Sequence, residues 1–123
     1  MIRYMKPLLL LVAPLLVAAP ASAQPRPIPY GSPQRAEGAY RTGFESSDFQ
    51  GCWVTFTDRG RAEFDRLRPA IQNRVLHGIG AWQVSWLIRR TPDATVRFQG
   101  YGHLGMSKCQ VEVVRVFRVA RLR

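Results

Sequence analysis

Lysine is almost missing from this chain, since Lys6 and Lys108 are the only two among its 18 basic residues, and carboxylates are few as well, with 8 acidic residues in all. The acidic side chains Glu37, Glu45, Asp48, Asp58, Glu63, Asp65, Asp93 and Glu112 are dispersed, so no motif sets up the carboxylate pair of a glycosidase. Gly-x-Ser-x-Gly, the phosphate-cradling P-loop and the dinucleotide fingerprint are all lacking, which disfavours the hydrolases and nucleotide enzymes built on them. Cysteine is limited to Cys52 and Cys109. With His77 and His103 they number four candidate zinc ligands, but no Cys-x-x-Cys or closely spaced histidine pair is present to seed a metal site. No repeat, coiled coil or second domain is visible, and no cofactor is implied.

The N-terminus carries an address. Arg3 and Lys6 precede an apolar run from Pro7 to Val17, and Ala21-Ser22-Ala23 supplies small residues before Gln24. This is the pattern of a secretory signal peptide over 1–23, cut after Ala23, and the run is too short and too interrupted by Pro14 to serve as a span across roughly 30 Å of hydrocarbon. The expectation is a periplasmic or secreted protein with no transmembrane segment in the mature chain. No cysteine follows the cleavage point to accept a lipid. Loss of the leader removes two of the 18 basic residues and none of the 8 acidic ones, leaving 16 − 8 = +8. A basic protein of this kind attracts anionic partners, so an anionic glycan, lipopolysaccharide, phospholipid or nucleic acid are the candidate ligands. An arginine bias also arises from base composition alone, and charge runs are usually solvated faces.

Between Gln24 and Glu37 the closely spaced prolines Pro25, Pro27, Pro29 and Pro33 forbid a helix, so 24–37 reads as a flexible arm. A single small domain over 38–123 remains. Its size leaves a thin margin of stability, and one Cys52–Cys109 disulfide is the expected reinforcement in an oxidising compartment. Closing that loop constrains the unfolded chain by roughly 4 kcal/mol.

Within the domain, Tyr40, Thr42 and Phe44 alternate with polar neighbours, predicting a first strand over 38–46 and a turn over 47–51. Cys52-Trp53-Val54-Thr55-Phe56-Thr57 predicts a second strand, with Cys52, Val54 and Phe56 on the core face and Trp53 opposed. Asp58 is the expected helix N-cap. Phe64, Leu67, Ile71 and Val75 form the helical stripe, with a kink or a break at Pro69 and an end at His77-Gly78. Trp82, Val84, Trp86 and Ile88 predict a third strand, Thr91–Ala94 a turn, and 95–100 a fourth strand with Val96 and Phe98 on one face. The last strand is predicted from Cys109 to Val119, with a bulge or bend where the alternation slips between Val113 and Val114. Apart from Trp53, the large aromatics are expected in the core. Five strands with one helical segment predict a mainly β fold, a small five-stranded OB-like barrel, with an open α+β sheet bearing the helix on one face as the alternative.

Gly100-Tyr101-Gly102-His103-Leu104-Gly105 is the most distinctive internal motif, and it reads as a sharp corner between the last two strands. The stretch from Glu37 through Phe44-Glu45 to Phe49, this Gly-His-Leu-Gly turn and the closing valine-rich strand resemble a group of small uncharacterised exported bacterial proteins. The resemblance implies a β-rich fold and carries over no catalytic residue. The resulting expectation is a non-enzymatic periplasmic binding or scaffold protein of the cell envelope. Arg89, Arg90, Arg97, Tyr101 and His103 are its candidate ligand-binding residues, forming one positive rim on an unknown envelope ligand or protein. Two alternatives stand beside it: an inhibitor of an exported hydrolase, and an enzyme using His103. The enzyme reading requires His103 in a concave site within reach of Glu45, Asp48 or Glu112.

Overall fold

A computed structural model describes residues 27–69 and 80–122. Five strands surround one interior: β1 (Gln34–Gly43), β2 (Ser46–Phe49), β3 (Cys52–Phe56), β4 (Gly80–Arg90) and β5 (Gln110–Arg121), with helix α1 (Asp58–Leu67) between β3 and β4. They close into a barrel in the order β1-β2-β3-β5-β4, with β1 pairing back onto β4. Neighbours are antiparallel except β3 and β5, which run parallel from Trp53↔Gln110 to Phe56↔Val113. The expected OB-like barrel is therefore the fold, and closure leaves no long edge exposed.

The period-two alternation fills the interior. Trp82, Val84, Trp86 and Ile88 of β4 meet Val111, Val113, Val116 and Val119 of β5, and Tyr40, Phe49, Val54 and Phe64 complete the core. Its centre is aromatic. Tyr40 lies 5.2 Å from Trp86 and edge-on to Phe64 at 5.5 Å, and Phe49 meets Trp86 edge-on at 4.9 Å, geometries that add to the stabilisation from burial. Burial raises the Tyr40 phenol above its ordinary pKa, while its hydroxyl contact with Ser47 and the charge on Arg61 pull it partway back.

The Cys52–Cys109 disulfide is formed, with both residues buried and their Cα atoms 4.7 Å apart. It sits one step before the parallel seam, a junction that no short hairpin holds in register.

Several sequence expectations are corrected. The first strand spans β1 alone and begins at Gln34, immediately after Pro33, so the arm ends earlier than residue 37. Tyr30 and Gly31 are also docked on the barrel. Gln110 Nε2 donates to the Tyr30 hydroxyl at 2.6 Å, that hydroxyl lies 3.4 Å from Thr55 Oγ1, and Gly31 N–H donates to the Arg90 carbonyl at 2.9 Å. The predicted turn at 47–51 is mostly strand β2. Two tight hairpins produce it: Phe44-Glu45 joins β1 to β2, with Glu45 at φ 57°, and Gln50-Gly51 joins β2 to β3 with φ 53° and 80°, the two positive values of a type I′ turn.

The helix cap is Thr57 instead of Asp58. Gly60 N–H donates to Thr57 Oγ1 at 3.0 Å, and the same hydroxyl donates to the Val113 carbonyl at 3.2 Å, tying the helix start to β5. Asp58 occupies the first turn, where its charge suits the helix dipole. α1 ends at Leu67 because Arg68, preceding Pro69, is extended (ψ 136°). Ile71, Val75, His77 and Gly78 lie outside the described residues.

No strand forms over 95–100, because β4 and β5 pair directly and leave no ladder for it. Phe44 and Phe98, expected in the core, are exposed instead. Slippage in β5 is a double bulge. The β4 register passes from Ile88↔Val113 to Leu87↔Arg115 and from Trp86↔Val116 to Ser85↔Arg118, so Val114 and Phe117 are extra residues.

Candidate functional site

The segment 91–109, which replaces the predicted fourth strand, leaves the barrel at Thr91 and returns at Cys109. Thr91 is buried and anchors it: its hydroxyl accepts from Gln110 N–H at 2.9 Å, and its own N–H donates to the Gln110 carbonyl at 2.9 Å. The distal part folds on itself. Tyr101 and Ser107 exchange backbone hydrogen bonds of 2.7 and 3.0 Å, Gly100 N–H donates to the Gly105 carbonyl at 3.0 Å, and a single 3₁₀ turn spans His103–Gly105.

This loop lies across the outer face of β2 and β3. Trp53 and Asp48 are register partners there, and Gly102 sits on the Trp53 ring so closely that a Cβ on it would stand 2.3 Å from Trp53 Cδ2. Gly102 also has φ 72° and ψ −155°, a region that glycine alone enters cheaply. At the far side His103 Nε2 meets Glu45 Oε2 at 3.1 Å, joining the loop to the β1–β2 hairpin tip. A cleft of about 210 Å³ results, lined by Glu45, Ser46, Asp48, Trp53, His103 and Met106. A second, of about 270 Å³, opens on the other side of the loop between Val96, Arg97, Phe98, Gly105, Met106 and Lys108.

Apolar side chains stand exposed around these clefts. Among the described residues seven large hydrophobic side chains are exposed, and five of them, Phe44 (87 %), Leu104 (70 %), Met106 (62 %), Phe98 (58 %) and Val96 (53 %), belong to the hairpin tip and this loop. Three of the four non-glycine residues with positive φ, Glu45, Phe98 and Leu104, are here too. Backbone conformations of that kind, held by surrounding structure, gather where a protein presents side chains to a ligand.

The five residues expected to form one positive rim are not used alike. Arg97, Tyr101 and His103 are on the loop. Arg89 is bound to Glu112 and stacks 5.2 Å from the Tyr30 ring, on the wall where the arm docks. Arg90 meets Asp93 at 2.8 Å and the Thr91 carbonyl at 3.0 Å. Two of the expected cations thus carry their own carboxylates, and the cleft beside His103 is lined by Glu45 and Asp48. Sequence reasoning missed Phe44, Leu104 and Met106. No signal marked them, since Phe44 continues the Tyr40 and Thr42 alternation and Leu104 and Met106 sit in a glycine-rich corner without periodicity.

Cys52 and Cys109 are consumed by their mutual bond, and no group of three or more His, Cys, Asp or Glu gathers among the described residues. Among the described residues no helix is long and apolar enough to cross a membrane. No protein-family model matches the chain, and no curated protein or solved structure matches it either.

Proposed function

We propose that this protein is a non-enzymatic binding or scaffold protein of the bacterial cell envelope, exported to the periplasm after cleavage behind Ala23, that docks a protein partner on the loop and hairpin covering β2 and β3. The observation that carries the reading is that Phe44, Val96, Phe98, Leu104 and Met106 are all exposed on this loop and the hairpin tip it contacts through His103 and Glu45. Exposed apolar side chains in one contiguous surface mark interaction sites, and aromatic residues, Met and Arg are the types enriched in protein interfaces. OB barrels commonly take oligonucleotides or oligosaccharides on this side. Here Trp53 is covered by Gly102, and Glu45 and Asp48 would repel a polyanion. Anchorage by Thr91 and the disulfide limits the entropy lost on docking. An exported hydrolase inhibited by this rim is one form of the same reading.

The test is a photo-crosslinking residue placed at Phe44, Leu104 or, as a control, Arg66 on α1, in expressing cells. Discrete adducts from the first two positions and none from the third support the reading. Absence of any adduct at Phe44 and Leu104 defeats it. Mass analysis of the recovered protein, expected to begin at Gln24, tests the export.

A second reading rests on the 3.1 Å contact between His103 and Glu45, which meets the geometric requirement set for an enzyme. An imidazole oriented by a carboxylate beside an open cleft can move a proton. Any hydrolytic turnover found in a substrate screen must vanish in His103→Ala and fall in Glu45→Gln; turnover that survives both removes this reading.

A further inference from the structure

The wall opposite the loop, formed by the outward positions of β1, β4 and β5, has a different chemistry. Arg35, Arg41, Arg115 and Arg118 stand there against the single carboxylate Glu37, apart from the neutralised Arg89–Glu112 pair at one end and Glu63, which reaches Arg115 from α1. Arg35, Leu87 and Arg115 lie in one row across the three strands, and Glu37, Ser85 and Arg118 in the next. The second β5 bulge turns the consecutive residues Phe117 and Arg118 both outward, which regular alternation forbids.

Phe117 is 41 % exposed and organises the row. The Arg35 guanidinium lies 4.4 Å from its ring centroid and that of Arg115 6.0 Å from it. Arg35 Nη2 also reaches Ser85 Oγ at 3.5 Å, and Arg115 Nε donates to Glu63 Oε1 at 2.9 Å. Each guanidinium is therefore held by part of its surface while further N–H donors remain, the arrangement suited to phosphate oxygens.

We infer that this wall docks on an anionic lipid surface, with Arg35 and Arg118 on headgroup phosphates and the exposed Phe117 ring among them. Charge complementarity is the first argument. The second is spread: the arginines stand on β1 and β5, about 10 Å apart across β4, instead of converging on one small anion. The third is the ring itself. A single-stranded nucleic acid stacks its bases on open aromatic faces, whereas the Arg35 guanidinium already lies over the Phe117 ring. This surface is separate from the protein-docking rim, so the two readings fail independently.

The experiment is co-sedimentation of the full chain, as recovered from expressing cells, with vesicles of roughly one-third phosphatidylglycerol and with vesicles of phosphatidylcholine alone, at low and high salt. Binding is expected to the anionic vesicles, weakened by salt. Arg35→Gln and Arg118→Gln should each lower partitioning about fivefold, the equivalent of about 1 kcal/mol per basic residue at an anionic surface. Phe117→Ala should lower it without changing net charge, and Arg66→Gln, with the same charge loss on α1, should change it less than about twofold. Melting curves identify any variant that fails to fold, and Arg118→Lys then replaces Arg118→Gln as the graded test. Equal losses for Arg66→Gln and Arg118→Gln would overturn the inference, because net charge alone would then account for binding. Retention on an oligonucleotide or an anionic glycan with no vesicle binding would overturn it as well.

Discussion

Substituting Gly102→Ala isolates the packing of the loop on the barrel. The added Cβ would stand 2.3 Å from Trp53 Cδ2 and 2.4 Å from Cε3, far inside contact distance, on a residue with φ 72°. Backbone strain of this kind costs about 1–3 kcal/mol, and the clash with the ring adds to it. Relief comes from lifting the loop, which sacrifices its cover of Trp53. Taking that cover as roughly one third of the surface an aromatic ring buries, about 80 Å² at about 25 cal/mol/Å², the loss is about 2 kcal/mol. The smaller of the two costs limits the damage, so the barrel should persist with a melting temperature lower by about 10 °C. Iodide quenching of tryptophan fluorescence should rise at the same time, since Trp82 and Trp86 stay buried and Trp53 alone becomes accessible. The Trp53→Phe background must abolish that rise. Unchanged quenching with an unchanged melting curve would refute the packing of Gly102 on Trp53.

Three further perturbations test other joints. Gly60→Ala improves helix propensity by about 1 kcal/mol, yet its Cβ would meet the Val113 carbonyl oxygen, so a loss of about 2 kcal/mol in urea denaturation is expected and a gain would refute the close docking of α1 on β5. Cys52→Ser with Cys109→Ser should cost about 4 kcal/mol in the same assay, and a loss under about 1 kcal/mol would show that the parallel seam stands without the bridge. The Glu63 carboxyl is held below its ordinary pKa, chiefly by the hydrogen bond from Arg115 and further by Val116 N–H and nearby arginine charge, against the opposing effect of desolvation. A lowered folded-state pKa gives stability that is full above the unfolded value, about 4.3, and is lost as pH falls through the folded one. Melting temperatures of Glu63→Gln should therefore lie below those of the native chain at neutral pH and converge on them in acid; a gap that widens in acid would contradict the assignment.

Core strands were legible because their alternation is long and their residues are buried on one face. Trp82 through Ile88 and Val111 through Val116 read directly, and even the phase slip at Val113–Val114 appeared in the chain as a break in period. Trp53, out of phase with Cys52 and Val54, was visible as the outward aromatic. Short elements were not legible. β2 has four residues in its ladder, fewer than a period-two signal needs, and Val96 with Phe98 imitated a strand over a stretch that has no partner to pair with. Arg89 and Arg90 were read as free cations because Glu112 and Asp93 become their neighbours only through pairing and turn geometry.

Local chemistry settled where the backbone could extend, where it had to stop and which faces were apolar, since those depend on residue type and spacing alone. Glycine at 102 and threonine at 57 were written in the chain, but their roles came from what lies across from them. Closure of β1 onto β4, the parallel meeting of β3 and β5 and the folding of 91–109 over Trp53 are long-range choices. They decided which charges are cancelled, which aromatics face water and where the basic wall stands, because side chains far apart in sequence acquire neighbours only when the barrel shuts.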